Sequence, residues 1–578
     1  MLYTPCMHFP VLPDRRRLVL LIATLVLLVG AAFGATLRGE FLAGDDHVLI
    51  VENPIVRNLS YRIFTTYDPE LYIPTTLATF QLETLLLGLH AWHFHLASLL
   101  LHAGNAVMVV WLLFLLLGRS SRGSREPPST TLRESGLPAA TAAFCGGLIF
   151  LLHPLQTESV AWISARKELL ATTFALATLL WYMHADEGRR GRMFSWGTLL
   201  FLLALTSKPS VILLPFALLV IDFHERGRVT FHDVIRKWPY ALLSLLFGLL
   251  GLLGKEAAIS LSPLQTFLLA ARSTTFYLQK FLLPVGLSPI YPAPPIDLSP
   301  AFIASVLIVA MLIAAAWIMR RRAPLVSVGI ALFFTFLIPS FLSYGHSSEV
   351  MLGADRYMYL PSVGLILIFC LVIQGFWSSI PKHPRNVFFV GLLGIVGLFG
   401  FLSHVQSNVW LTSDAHSTRV LALYPNSAIG QNNLGFALLS QGKLQEAVPY
   451  FERAIGRNPL YADAIVNLAV VRAREGRLDE ADALLRRSLA AYPGHAQTHF
   501  NLAGIALTRG DLLLAEHLYE ETLRLRPYYA PALWQLAQAE WQRGKSDEAA
   551  AHYRALLLLD DSYRGKIPVM DALLEPNR

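Results

Sequence analysis

Charged residues are scarce in this chain. They are 15% of its 578 residues, against about a quarter in a soluble protein. Cysteine is scarcer still. Cys6, Cys145 and Cys370 stand far apart, and the last two lie in apolar runs. They give neither a disulfide framework nor metal-ligand spacing, so cysteine leaves the redox compartment open. There is no phosphate-cradling G-x-x-x-x-G-K-[ST] loop, no G-x-G-x-x-G after a strand and no nucleophile-elbow serine. Recognisable nucleotide binding and serine-hydrolase chemistry are thereby excluded. There is no long block of one charge either. The net charge of +7 comes in short basic clusters between apolar runs, the pattern that sets membrane topology and not one that grips nucleic acid.

What is abundant is apolar, at 54% of residues. Eleven spanning segments are expected, at about 18–37, 94–117, 139–155, 168–184, 194–207, 209–223, 238–254, 301–319, 323–342, 357–376 and 386–404. The first follows Arg15-Arg16-Arg17 and is long enough to span. Ala35-Thr36-Leu37 is a poor cleavage site, so it reads as a retained helix. Ser207-Lys208-Pro209 interrupts the fifth and sixth segments, as in two short helices or a broken pair reaching a polar site. Residues 264–283 contain Arg272, Gln279 and Lys280 and read as an interfacial helix. Leaving that stretch out puts every rich arginine cluster in the cytoplasm, including Arg320 to Arg322. The Asp45-Asp46 loop, the 156–167 loop, Lys208, the 343–356 loop and the C-terminus then share the outer side.

Beyond residue 404 the composition turns soluble-like and repeats. Pro425, Pro459, Pro493 and Pro527 are 34 residues apart, in phase with Gly442, Gly476, Gly510 and Gly544 and with Ala447, Ala481, Ala515 and Ala549. With Leu434, Leu468, Leu502 and Leu536 at the same period, four landmarks in phase define four tetratricopeptide repeats, each a helical hairpin. Proline closes each unit because it cannot continue a helix. The expected fold is all-α: a polytopic membrane bundle over 1–404, a connector at 405–424, an α-solenoid over 425–560 and a cap or tail at 561–578. Asn433, Asn467, Asn501 and Gln535 recur at one polar position of the repeats. They suit the gripping of an extended peptide backbone, or are plain helix-surface polars.

The polar residues assigned to the outer side carry the chemistry. Asp45 and Asp46 stand just beyond the first span. An acidic pair there is costly unless it is solvated, paired or used. It reads either as a base for an acceptor hydroxyl or as a helix cap. His153, Glu158 and Arg166 fall in the stretch after the third span, Lys208 in the broken pair, and His346, Asp355 and Arg356 ahead of the tenth span. Arg166, Lys208 and Arg356 are candidates for a phosphate. Glu158, His153 and His346 are supporting residues, and Asp355 is a neutralising neighbour for Arg356. The prolines from 284 to 295 make a stiff, sugar-sized loop with Tyr291 as an exposed aromatic, or merely a linker. His90, His93, His95 and His102 cluster, but without a zinc pattern, and read as interfacial histidines beside Trp92. No metal and no cofactor are expected.

The membrane half resembles the transmembrane and tetratricopeptide repeat-containing proteins, relatives of the protein O-mannosyltransferases with the GT-C glycosyltransferase fold. The resemblance rests on Asp45-Asp46 followed by Ile50 to Pro54, on His153-Pro154 to Glu158 with Arg166, on Ser207-Lys208 and on Asp355-Arg356-Tyr357-Met358-Tyr359-Leu360-Pro361-Ser362. It implies an acidic loop residue as base, the first of the pair, a polyprenyl-phosphate sugar as co-substrate (mannose in the animal members) and a Ser or Thr hydroxyl of a protein as acceptor. The chain departs at Tyr72-Ile73-Pro74-Thr75, where an arginine before the proline is expected, and at Gln81 and Glu83, where Arg and Asn are expected. Membrane lipid, the lipid-linked donor and a protein or peptide held by the repeats are the expected partners, with no nucleic acid. Compact loops and the lack of a retention tetrapeptide point to a bacterial inner membrane with the repeats in the periplasm. The alternatives are a membrane scaffold whose repeats bind partners, and a lipid-linked glycan ligase.

Overall fold

The computed structural model describes residues 15–65, 72–120, 137–185, 192–193, 195–253, 260–344, 349–381 and 385–566. The fold is helical nearly throughout. Among the described residues the only strands are Tyr291–Pro292 and Met351–Gly353, paired antiparallel.

Each expected span coincides with a helix. Among the described residues five are long and apolar enough to cross a membrane by length and composition alone: Ala91–Gly118, Pro300–Arg322, Pro324–Leu342, Ser362–Ser379 and Arg385–Trp410. Ala139–Leu152 and Pro154–Ala161 form a further pair bent by 52°. The Ser207-Lys208-Pro209 break is real. Trp196–Ser207 ends there, a 3-10 turn covers Pro209–Val211, and Leu214–Arg226 resumes. The stretch read as interfacial is the helix Pro263–Leu282, started by a Ser262/Gln265 capping box. A helix the sequence reading passed over, Pro74–Leu87, lies between the first two spans.

Two observations fit the apolar helices to a bilayer. Pro300–Arg322 is 11% buried over its most apolar window, and Leu307, Met311, Ile313 and Trp317 stand exposed along it. Such an apolar surface is stable only against lipid or another protein. Other helices pack tightly: a Cβ on Gly364 would sit 2.3 Å from the Gly329 carbonyl oxygen, so glycine lets those two backbones meet.

The C-terminal array contains four hairpins, from Ala428–Ser440 with Leu444–Arg457 to Ala530–Gln542 with Ser546–Leu559. Gly442, Gly476, Gly510 and Gly544 all take φ of +79° to +80°. That left-handed turn after each first helix favours glycine. Ala447, Ala481, Ala515 and Ala549 are fully buried. The expected connector is itself structured: Ser413–Leu423 packs on the first repeat as an extra helix.

Candidate active site

The aspartate pair sits in a turn that Gly44 opens, with φ +101°. The two carboxylates have opposite surroundings. Asp46 is fully buried. Its Oδ2 accepts from the Leu42 amide at 2.9 Å, and its Oδ1 accepts from the Ser164 amide at 2.9 Å and from the Ser164 hydroxyl. Burial pushes its carboxyl up to about 6, with these hydrogen bonds pulling the other way. Asp46 thus ties the turn to the 163–165 segment. The Asp45 side chain is 47% exposed, and its carboxylate lies 4.0 Å from the Lys167 ammonium.

Lys167 was not singled out from the sequence. Its charged neighbours are Asp45, Lys208, Arg356 and Glu168, all of which act on it electrostatically. Lys208 donates to Glu168 and lies 5.1 Å over the Tyr357 ring. Arg356 donates to Glu158 through its guanidinium, and its amide donates to the second Glu158 oxygen at 2.8 Å. Its guanidinium also lies 5.2 Å over Trp162 and 4.8 Å over Tyr357. Three cations and three carboxylates from four separate stretches of chain therefore meet at one end of the bundle.

A small cleft opens beside them, lined in part by Glu168, Arg356 and Tyr357 and by the apolar Val211, Phe336 and Leu360. One part of its wall is charged and another apolar.

Other expected residues lie elsewhere. Arg166 is buried and turned away from this cluster. Its guanidinium donates to Glu83 at 2.8 Å and to the Phe94 carbonyl at 2.6 Å, sandwiched near the Phe80 and Phe94 rings. The helix break at Trp162 explains why: Thr157–Ala161 and Arg166–His184 do not share a face, so Glu158 and Arg166 do not meet. Glu83, a departure from the expected pattern, is the partner Arg166 has. Gln81, the other departure, donates to the Ile55 and Asn58 carbonyls at 2.8 and 2.7 Å and anchors the short helix Pro54–Arg57.

His153 is a packing residue. It is buried, hydrogen-bonded to the Phe281 carbonyl and stacked on the Phe281 ring at 5.1 Å. His346 lies outside the described residues. Asp355 does not neutralise Arg356, since Glu158 does. Asp355 accepts instead from the Tyr291 hydroxyl at 2.8 Å, and burial holds its carboxyl well above the usual carboxylate range. Tyr291 is accordingly fully buried and not the exposed aromatic expected. His93, His95 and His102 are buried within the protein and have separate surroundings: His93 lies beside Trp92, ring centroids 5.5 Å apart, and bonds the Gly88 carbonyl, and His102 bonds Tyr359 and the Leu151 carbonyl.

Asn433, Asn467, Asn501 and Gln535 are half-buried on the first helices of successive repeats. Asn467 donates to Asn432 at 2.9 Å, and the Asn501 amide nitrogen is buried without a hydrogen-bond partner. Among the described residues the carboxylates close enough to share a cation are Glu516, Glu520 and Glu540. Arg543 and Lys545 already neutralise Glu516, and His552 pairs with Glu540.

Fold and repeats define a polytopic helical membrane protein that carries a tetratricopeptide array. Family models described as tetratricopeptide repeat match residues 438–504 and 500–565. The chain is similar to proteins named protein O-mannosyl-transferase. It is 25% identical over 528 residues to the human Protein O-mannosyl-transferase TMTC1, covering 77% of this chain and 56% of that protein. It is 25% identical over 474 residues to the Caenorhabditis elegans Protein O-mannosyl-transferase F38B6.6, covering 74% and 61%. The chain thus spans a little over half the length of these relatives. A solved tetratricopeptide protein of Thermus thermophilus is 22% identical and covers 28% of this chain and 90% of its own, with a TM-score of 0.25.

Proposed function

We propose that this protein is a membrane glycosyltransferase of GT-C type. It moves a sugar, mannose by analogy with the names of its relatives, from a polyprenyl phosphate to a Ser or Thr hydroxyl of a protein. The reaction takes place on the outer side of the membrane, the periplasmic side of a bacterial inner membrane. The observation that carries this reading is the half-exposed Asp45 beside Lys167, in a charge cluster that includes Lys208 and Arg356 and borders a cleft lined by Glu168, Arg356 and apolar side chains. A polyprenyl phosphate has the same two-part chemistry.

Asp45 accepts the proton of the acceptor hydroxyl as its oxygen bonds to the sugar's anomeric carbon. The bond from that carbon to the phosphate oxygen breaks, and the electron pair leaves on the polyprenyl phosphate. Lys167, Lys208 and Arg356 stabilise the charge that collects there. Glu158 and Glu168 hold Arg356 and Lys208 in place. Arg166 drops out of the phosphate set and Lys167 enters it. Asp46 shapes the turn that presents Asp45. The repeats recruit the acceptor.

The test is transfer by the full-length protein in lipid vesicles, from labelled undecaprenyl-phosphate mannose to a Ser/Thr-rich peptide. Label on the peptide that depends on Asp45 supports the reading. Intact donor after long incubation, with several lipid-linked sugars tried, favours the scaffold alternative.

A further inference from the structure

The turn that carries Asp45 is held on one side by the connector that leads into the array and on the other by the last repeat. On its N-terminal side, the Glu40 amide donates to the Leu411 carbonyl at 3.0 Å, the Ser413 amide to the Glu40 carboxylate at 2.9 Å, and the Ala43 amide to the Ser413 hydroxyl at 2.9 Å. On its C-terminal side, Arg57 pairs with Asp560 at 3.3 Å, and the Asn58 amide nitrogen donates to the Leu559 carbonyl at 2.7 Å. Leu559 and Asp560 close the last repeat. Arg57 also donates to the Val51 carbonyl, at the end of the His47–Val51 turn that follows the aspartates. Arg62 lies 5.0 Å over the Tyr528 ring of the same repeat, and Tyr528 packs on the Leu49 and Ile50 cluster.

The first repeat has its own anchor. Glu349 accepts from the Ser427 hydroxyl and from the Ala428 and Ile429 amides, at 2.9, 2.7 and 3.3 Å, at the start of the Ala428–Ser440 helix. Both ends of the array are therefore fastened to the membrane bundle, and the 40–58 segment held between Ser413 and Asp560 includes Asp45.

We infer that the array is a positioning element of the active site: Arg57 and Asn58, clasped to Asp560 and Leu559 of the last repeat, hold the turn that presents Asp45. This rests on the reading of Asp45 as the base. A flexing of the array that loosens the clasp reaches Asp45 through Arg57, the Val51 carbonyl and one turn of helix. Repeats that engage an acceptor then act on the rate of the chemical step as well as on acceptor binding. Arg57 and Asp560 are positioning residues, since neither reaches the cleft.

The clasp is built from one ion pair, 34% and 15% exposed on its two sides, one hydrogen bond and a ring contact. So few contacts, at the edge of both domains, can open without unfolding either one.

The test uses the full-length protein in vesicles, with Cys6, Cys145 and Cys370 replaced by alanine and His47→Cys as a thiol probe. Asp560→Asn keeps the oxygen that caps Ser562 but presents an amide to Arg57. Combined with Asn58→Ala it releases the clasp. The introduced thiol then reacts several-fold faster with a membrane-impermeant maleimide, and Asp560→Glu stays near the parent rate. In the same variants without the probe, kcat for transfer from undecaprenyl-phosphate mannose to the peptide falls while KM for the donor holds. A labelling rate in the double variant equal to the parent's overturns the coupling. Labelling that follows the clasp in a protein that transfers no sugar upholds the coupling and refutes the role of Asp45.

Discussion

The Lys167 ammonium stands 4.0 Å from the Asp45 carboxylate, while Arg166, its neighbour in sequence, points into the protein and bonds Glu83. One step along the chain separates a cation that meets the charge cluster from one that bonds Glu83 on the other side. The two make opposite predictions. Lys167→Ala should leave the protein folded and raise KM for the polyprenyl-phosphate donor by about 10-fold or more, the loss of one charge-assisted contact. Arg166→Ala strips a mostly buried carboxylate of its partner and should cost about 3–5 kcal/mol of stability. Donor titration and thermal unfolding of the two purified variants separate them.

Asp46 should make stability depend on pH. Its carboxyl is raised to about 6 from the ordinary 3.8, so between those values the folded state holds a proton that the unfolded state has lost. Stability is then fully present below about 4 and falls as pH rises towards about 6, by up to about 3 kcal/mol. Asp46→Asn removes the titration. Thermal melts from pH 4 to pH 7 should show the parent losing stability relative to this variant, and parallel curves would contradict the assignment.

The repeats should fold alone. Clusters of buried residues run through the four hairpins, and a four-repeat array can bury its own core. A fragment covering 405–578 should be soluble, helical and cooperative in denaturant. Within it Gly476→Ala meets a φ of +79° and should cost about 1–2 kcal/mol.

The eleven-span order predicts that the array lies outside the cytoplasm. A reporter that works only in the cytoplasm, fused after Tyr424, should stay silent. The same reporter fused after Arg322 should be active.

Much of the fold was legible in the sequence, because its signals are local. Four in-phase prolines and glycines fix the hairpins, and each apolar run of sufficient length becomes a helix. The Pro74–Leu87 helix escaped because its leucines sit among polar residues without a clear period. The site was legible by residue type and only partly by residue. Asp45, Lys208, Glu158 and Arg356 converge as a set, though nothing local links positions 45, 158, 208 and 356. Whether Arg166 or Lys167 joins the charge cluster depends on the break at Trp162 and on Glu83, which is distant in sequence. Glu83 stood out as a departure from the expected pattern, and that was the available signal. The fastening of Asp560 to Arg57 joins residues some five hundred positions apart, with no pattern in either segment to announce it.

The most direct measurement compares Asp45→Asn with Asp46→Asn, each at matched protein level in vesicles, for transfer from undecaprenyl-phosphate mannose. Asparagine keeps the shape of aspartate but cannot take the acceptor's proton. Asp45→Asn should bind donor normally and lose roughly 10²–10⁴-fold in kcat, the contribution of a general base. Asp46→Asn should lose less, through a looser turn. Normal turnover by Asp45→Asn would contradict the account.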